Sequence, residues 1–196
     1  MKTPLQMDSN FHLDHENAKR ILQEGWCLFQ QKGYRGVTVD EICQQCELSK
    51  PTLYYYFHDK ENLFVQVLKF KLSGFREVIE QPGTINERLQ RITSTILESF
   101  QNENSMSLLH QEKLKKTENT RKIREAFRNE LFGPLFSLMK SGINQGELKE
   151  DNPEMLTLVF LGIINNFIGK AEEMNLENSA LAKKLTDHFL EGAKKQ

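Results

Sequence analysis

Thr38-Val39-Asp40-Glu41-Ile42-Cys43-Gln44-Gln45-Cys46-Glu47-Leu48-Ser49-Lys50-Pro51-Thr52-Leu53-Tyr54-Tyr55-Tyr56-Phe57 decides the fold of this chain. Thr38 followed by Glu41 has the spacing of a capping box, in which a hydroxyl and a carboxylate each cap the other residue's amide. It opens a short helix. Ser49 caps a second one, with Pro51 in the first turn, where a missing N–H costs nothing. Two helices of about two turns joined by a tight connection have the size of a helix-turn-helix. Ile42 and Leu48 form its apolar joint. Leu53 and Phe57, four residues apart, face inward from the second helix. Pro51, Thr52 and Tyr55 then point away from the core, flanked by Tyr54 and Tyr56.

Helical patterning continues on both sides. From Asn17 to Lys32, small or apolar residues recur at Ala18, Ile21, Leu22, Gly25, Leu28 and Phe29, the stripe of an amphipathic helix. Gly33 ends it at the position that needs positive φ. Downstream, Asp59 caps a longer helix carrying Leu63, Phe64, Val67, Leu68, Phe70 and Phe75, which ends near Gln81-Pro82-Gly83. Helices are predicted over about 84–101, 105–117, 120–144, 153–173 and 178–194. Gly133-Pro134 should kink the third of these. Asn152-Pro153 and Asn178-Ser179 supply start signals for the last two. No run alternates with period two, so the fold class is all-α. The expected organisation is a leader over 1–14, a three-helix domain containing the helix-turn-helix over 15–75, and a second helical domain over 76–196.

Composition excludes several classes. The chain has 196 residues, 38% hydrophobic and 27% charged, which suits a globular protein with a real core rather than disorder or a fibre. Three cysteines cannot all pair with one another, and Met1-Lys2-Thr3-Pro4 leads into polar residues rather than a secretory signal. The reducing cytoplasm is the expected location. The longest apolar run, Met155 to Ile168, contains Thr157, Asn165 and Asn166 and is too short and polar for a membrane span. A net charge of -1 argues mildly against nucleic acid, so any DNA-binding surface must be a local arrangement.

The second helix of the pair supplies one. Three phenol hydroxyls beside Thr52 and Lys50 suit a flat, polar, hydrogen-bonding partner, as phosphate oxygens and base edges in a major groove are. Lys60 opens the next helix, where its charge and the free amides favour a phosphate. The alternative is a tyrosine cluster packed beneath the C-terminal helices. At this point the residues carry a likeness. Residues about 15–72 resemble the DNA-binding domain of the tetracycline-repressor (TetR) family of bacterial regulators. The matching elements are the helix ending at Gly33-Tyr34, Thr38-Val39-Asp40-Glu41-Ile42, Ser49 through Phe57, and Lys60-Glu61-Asn62-Leu63. The resemblance implies DNA contacts by Thr38, Ser49, Lys50, Thr52, Tyr54, Tyr55, Tyr56 and Lys60. Two positions depart from the family pattern. Tyr56 stands where the family often has His, and Glu47 stands in the turn where it usually has Gly. The Glu must take a backbone geometry that Gly takes freely, at about 1 kcal/mol.

Other short patterns have plainer explanations. Cys43-Gln44-Gln45-Cys46 has metal or redox spacing, but no second pair follows, and core packing explains it better. His12-Leu13-Asp14-His15 has no ligand continuation. The basic run Lys113, Lys115, Lys116, Arg121, Lys122, Arg124 and Arg128 is interleaved with Glu112, Glu118 and Glu125, the mark of a solvated helix face. No phosphate loop, dinucleotide fingerprint, zinc-helix motif or nucleophile elbow occurs, so neither catalysis nor a cofactor or metal is expected.

The helix over 153–173 carries Leu156, Val159, Phe160, Ile163, Ile164, Phe167 and Ile168, and the last carries Leu181, Leu185, Phe189 and Ala193. A four-helix bundle across a two-fold axis would cover such faces, giving a homodimer through the two C-terminal helices. The alternative is that both faces close the protomer's own core. Members of the family sense small molecules inside this domain. Candidate walls are Phe100, Met106, Leu109, His110, Phe127, Leu131, Phe136, Met139 and Phe167, with Asn165 and Asn166 as polar contacts. Taken singly, each also fits plain core. A Phe- and Met-rich lining suits an apolar or aromatic effector. The reading is a cytoplasmic, homodimeric, ligand-responsive repressor on a palindromic DNA operator, with a helical protein-interaction module as the alternative.

Overall fold

The computed structural model describes residues 16–100 and 117–193, and it contains no strand among them. Ten α-helices are described: α1 (Glu16–Gly36), α2 (Val39–Gln45), α3 (Lys50–Phe57), α4 (Lys60–Leu72), α5 (Phe75–Glu80), α6 (Ile85–Ser99), α7 (Thr117–Phe127), α8 (Gly133–Asn144), α9 (Pro153–Phe167) and α10 (Asn178–Ala193). The leader, His12, His15, Lys113, Lys115, Lys116 and most of the expected helix over 105–117 lie outside the described residues. The chain divides into two units. The described parts are 16–71 with 117–124, and 72–100 with 125–193.

The first unit is built on the caps that spacing predicts. Thr38 Oγ1 accepts from the Glu41 amide at 3.2 Å, and the Thr38 amide donates to Glu41 Oε2 at 2.7 Å. Ser49 Oγ accepts from the Thr52 amide, and Asp59 Oδ1 from the Asn62 amide at 2.7 Å. Gly33 has φ 69, which breaks helical geometry inside α1. Ile42, Leu53 and Phe57 are fully buried, whereas Leu48 is only half-buried. Phe29 packs edge-on against Phe64 with ring centroids 5.0 Å apart. Cys43 and Cys46 are free thiols within this core. Burial pushes the Cys46 thiol up to about 11, so it packs as a small apolar group rather than as a thiolate.

The connection from α2 to α3 is a Schellman motif. The Leu48 amide donates to the Cys43 carbonyl at 2.9 Å and the Glu47 amide to the Gln44 carbonyl at 3.2 Å. Glu47 occupies the left-handed position of that motif with φ 52. A non-glycine residue there costs roughly 1–2 kcal/mol, partly offset by the greater unfolded-state freedom of glycine. Glu47→Gly is therefore expected to stabilise the protein by about 1 kcal/mol, read as a higher urea midpoint at unchanged slope.

In the second unit α10 lies along α6, and the buried hydroxyls of Thr93 and Thr186 meet at 3.5 Å. Phe160 of α9 packs against Phe189 of α10 with tilted rings, centroids 5.0 Å apart. Leu181, Ala182, Leu185, Phe189, Leu190 and Ala193 are all buried, so the apolar stripe of α10 closes its own unit, and its outer face carries Lys183, Lys184 and His188. α9 differs. Met155, Leu158 and Val159 are exposed on one face, with Gly162 one turn further along.

Three helix boundaries differ from the periodicity. The expected long helix after Asp59 is interrupted at Ser73-Gly74, where the poor helix propensity of glycine outweighs a continuous apolar stripe. α9 stops at Phe167, because Ile168 is extended and Gly169 adopts φ 77. The kink expected at Gly133-Pro134 is a π-turn over Arg128–Phe132 placed just before it. Pro134 has no amide to donate and its ring would crowd the carbonyl four residues back. Widening that turn relieves both. The Gly133 amide donates to the Arg128 carbonyl, and a Cβ on Gly133 would stand only 2.8 Å from that oxygen.

Candidate nucleic-acid interface

α3 presents Lys50, Pro51, Tyr54 and Tyr55 to solvent while Leu53 and Phe57 anchor it. Tyr54 is 41% and Tyr55 53% exposed, an uncommon degree for aromatic side chains on so short a helix. The tyrosine cluster is thus on the surface, not beneath other helices. Tyr56 is half-buried, its ring 5.3 Å from Tyr55 and 6.1 Å from Phe57. Ser49 and Thr52 share a hydroxyl–hydroxyl bond of 2.8 Å at the start of the helix.

The far end of α3 is held under strain. His58 has φ 58 and ψ -48, and the Asp59 amide donates across it to the Phe57 carbonyl at 2.6 Å, a γ-turn of the rare positive-φ form. Asn62 Nδ2 donates to the same carbonyl at 3.1 Å. This bond fixes the tight passage from α3 into α4, and with it the position of Lys60.

The cations are not free-standing. Lys50 Nζ lies 2.7 Å from Asp40 Oδ1, and Lys32 Nζ lies 2.7 Å from Glu41 Oε1. The bond to Asp40 raises the Lys50 ammonium above its usual pKa. Lys60 Nζ sits 4.6 Å from the centroid of the Tyr34 ring, and burial lowers its pKa, with Glu41 acting in the opposite sense. Tyr34 packs on Phe64 at 4.8 Å, and burial foremost, then Glu61 and Asp59, raise its phenol pKa. Through Asp40 and Glu41, the surface joins Thr38, Lys50 and Lys60. The roles of Asp40, Lys32 and Tyr34 escape the sequence reading, because pairing across helices leaves no spacing signal.

Glu41 carries a testable charge. The Lys32 ammonium first, then the amide and hydroxyl of Thr38, hold its carboxyl at about 2, well below the ordinary 4.5. A depressed carboxylate contributes stability above its ordinary pKa and loses it as pH falls toward the native value. Stability is therefore expected to decline from about pH 4.5 down to about 2, and Glu41→Gln to decline less over that window. Denaturant midpoints measured along the acid series check this.

The effector candidates are scattered. Phe100, Leu131 and Met139 are buried, and Phe127, Phe136 and Phe167 are half-buried. Met106, Leu109 and His110 lie outside the described residues. Asn165 and Asn166 are exposed, and Asn166 donates to the Gly162 carbonyl of its own helix, so neither points into an interior.

The sequence model of bacterial regulatory proteins of the tetR family matches residues 21–67. The chain is similar to an uncharacterised HTH-type transcriptional regulator, YuxN, of Bacillus subtilis (strain 168), at 40% identity over 55 residues, 28% of this chain and only 19% of that protein. It is similar over most of its length to the HTH-type transcriptional regulator QacR of Staphylococcus aureus (strain Mu50), at 25% identity, 86% of this chain and 93% of the relative. The crystal structure of the transcriptional regulator FadR from Bacillus subtilis, in complex with stearoyl-CoA, superposes with a TM-score of 0.73 at 21% identity, covering 89% of this chain and 98% of that one.

Proposed function

With an N-terminal domain of the tetR family as premise, we propose that this protein is a DNA-binding transcriptional repressor, that it binds a palindromic operator as a homodimer, and that a small molecule modulates it. The observation that carries this reading is the outward face of α3. Lys50, Thr52, Tyr54 and Tyr55 are displayed on a helix anchored by Leu53 and Phe57. A two-turn helix so anchored enters a major groove with its polar side chains toward base edges and phosphates. Thr38 at the start of α2 and Lys60 at the start of α4 flank it as backbone contacts. In that role Lys50 exchanges its Asp40 partner for a phosphate, an exchange between two exposed partners that costs little. The protein acts in the cytoplasm, where the operator lies.

Two such domains must be joined for a palindrome. The exposed Met155, Leu158 and Val159 support a two-fold contact made through α9, with the polar outer face of α10 contributing at most its rim. The effector is apolar or aromatic, in keeping with Phe100, Leu131 and Met139 inside the second unit and with the acyl thioester held by the FadR structure. It would act by favouring one spacing of the two DNA-binding domains over another.

Selecting bound duplexes from a random-sequence pool tests the function directly. Recovery of one palindromic motif supports it. Failure to retain any sequence sinks it in favour of a helical protein-interaction module, the reading that the acid-paired Lys50 and the exposed Glu47 would then favour.

A further inference from the structure

Beside the π-turn of the second unit runs a groove of about 480 Å³, lined by Arg76, Arg88, Arg128, Phe136, Ser137 and Ser141, with Glu80 at its edge. We propose that this groove binds a small phosphate monoester carrying an aromatic or other apolar group. Three arginines against one glutamate give a local balance of +2 in a chain whose total is -1. A doubly charged anion matches that balance better than a single carboxylate does.

The arginines are held in place. Arg88 donates through Nε and Nη2 to the Ile79 carbonyl at 3.0 and 2.8 Å. Arg76 donates through Nη1 to Glu80 Oε1 at 2.9 Å, and through Nη2 to the Asn129 carbonyl within the π-turn. The Arg128 side chain is exposed and makes no hydrogen bond or ion pair with any described residue, which leaves its planar donor fork open to two phosphate oxygens. Its position follows from the π-turn, which inserts one residue into the helix and re-aims the side chains there. Turns of this kind gather at functional sites. Ser137 and Ser141, one turn apart on α8, add hydroxyl donors.

The apolar component is equally specific. Phe136 and Pro134 line the groove next to the guanidinium groups, so an aromatic ester group can stack while its phosphate meets arginine. The volume falls within the range usual for small-molecule sites. Among the described effector candidates only Phe136 borders this groove, so the site is separate from an interior pocket built on Phe100, Leu131 and Met139.

Calorimetric titration of the full chain with phenyl phosphate, inorganic phosphate and phenol tests the proposal. Phenyl phosphate is expected to bind about tenfold more tightly than inorganic phosphate, and phenol to give no saturable heat. Arg128→Gln should weaken phenyl phosphate by about tenfold, while Lys140→Gln, an exposed cation of α8 that does not line the groove, should change it by less than about twofold. No binding of phenyl phosphate overturns the proposal. So does an unchanged affinity in Arg128→Gln, or an equal loss in both variants, which would mean bulk charge alone. Equal binding of phenyl phosphate and inorganic phosphate would overturn the apolar half of the site.

Discussion

Tyr55→Ala is expected to weaken operator binding by roughly 10- to 100-fold, about 1–3 kcal/mol, while leaving the fold intact. Both halves follow from the same side chain. Tyr55 is 53% exposed and its described ring contact is with Tyr56, so truncation removes little buried area and should cost under about 0.5 kcal/mol of stability. In the groove the same ring would bring a large flat surface and a hydroxyl to base edges. Lys50→Ala should lower affinity for all duplexes and flatten the plot of log K against log salt by about 0.9, the slope of one lost phosphate contact. Because Lys50 must leave Asp40 to reach a phosphate, its loss should be somewhat smaller than that of an unpaired cation. Fluorescence anisotropy across a salt series, beside circular dichroism, separates binding from folding. If both variants bind as the wild type does, α3 is not the recognition helix.

How much of this was legible in the residues depends on the range of the interactions. The caps at Thr38, Ser49, Asp59 and Asn152 act over two or three residues, and their spacing gives them away. The left-handed Glu47 was legible only through the resemblance, which usually has Gly at that point of the turn. What escaped depends on how helices cross. Lys50 meets Asp40 only because α3 crosses α2, and Lys60 meets Tyr34 only because α4 starts beside the end of α1, and no periodicity encodes that. The polar outer face of α10 was present in the sequence as Lys183, Lys184 and His188, yet a stripe of leucines does not say whether its cover comes from the same chain. The break after Leu72 turned on a single glycine competing with a long apolar pattern, a contest that tertiary packing decides.

That distinction between the two last helices makes a charge on α9 the sharpest test of assembly. Leu158 is 57% exposed and sits between Met155 and Val159, which are 58% and 48% exposed. Burying each such side chain in a two-fold contact contributes up to about 1.5–3 kcal/mol, and symmetry counts every residue twice. Gly162, with open space where a Cβ would stand, lets a second helix come close on the same face. Leu158→Glu would remove the apolar contact and bury two like charges near the symmetry axis, each at several kcal/mol. The variant is expected to sediment as a monomer at micromolar concentration with unchanged helicity. Operator affinity should fall by about 100-fold or more, since each half-site is then bound without the effective concentration that linkage provides. A dimer unmoved by Leu158→Glu would place the symmetry contact elsewhere, and the exposed face of α9 would then require another cover.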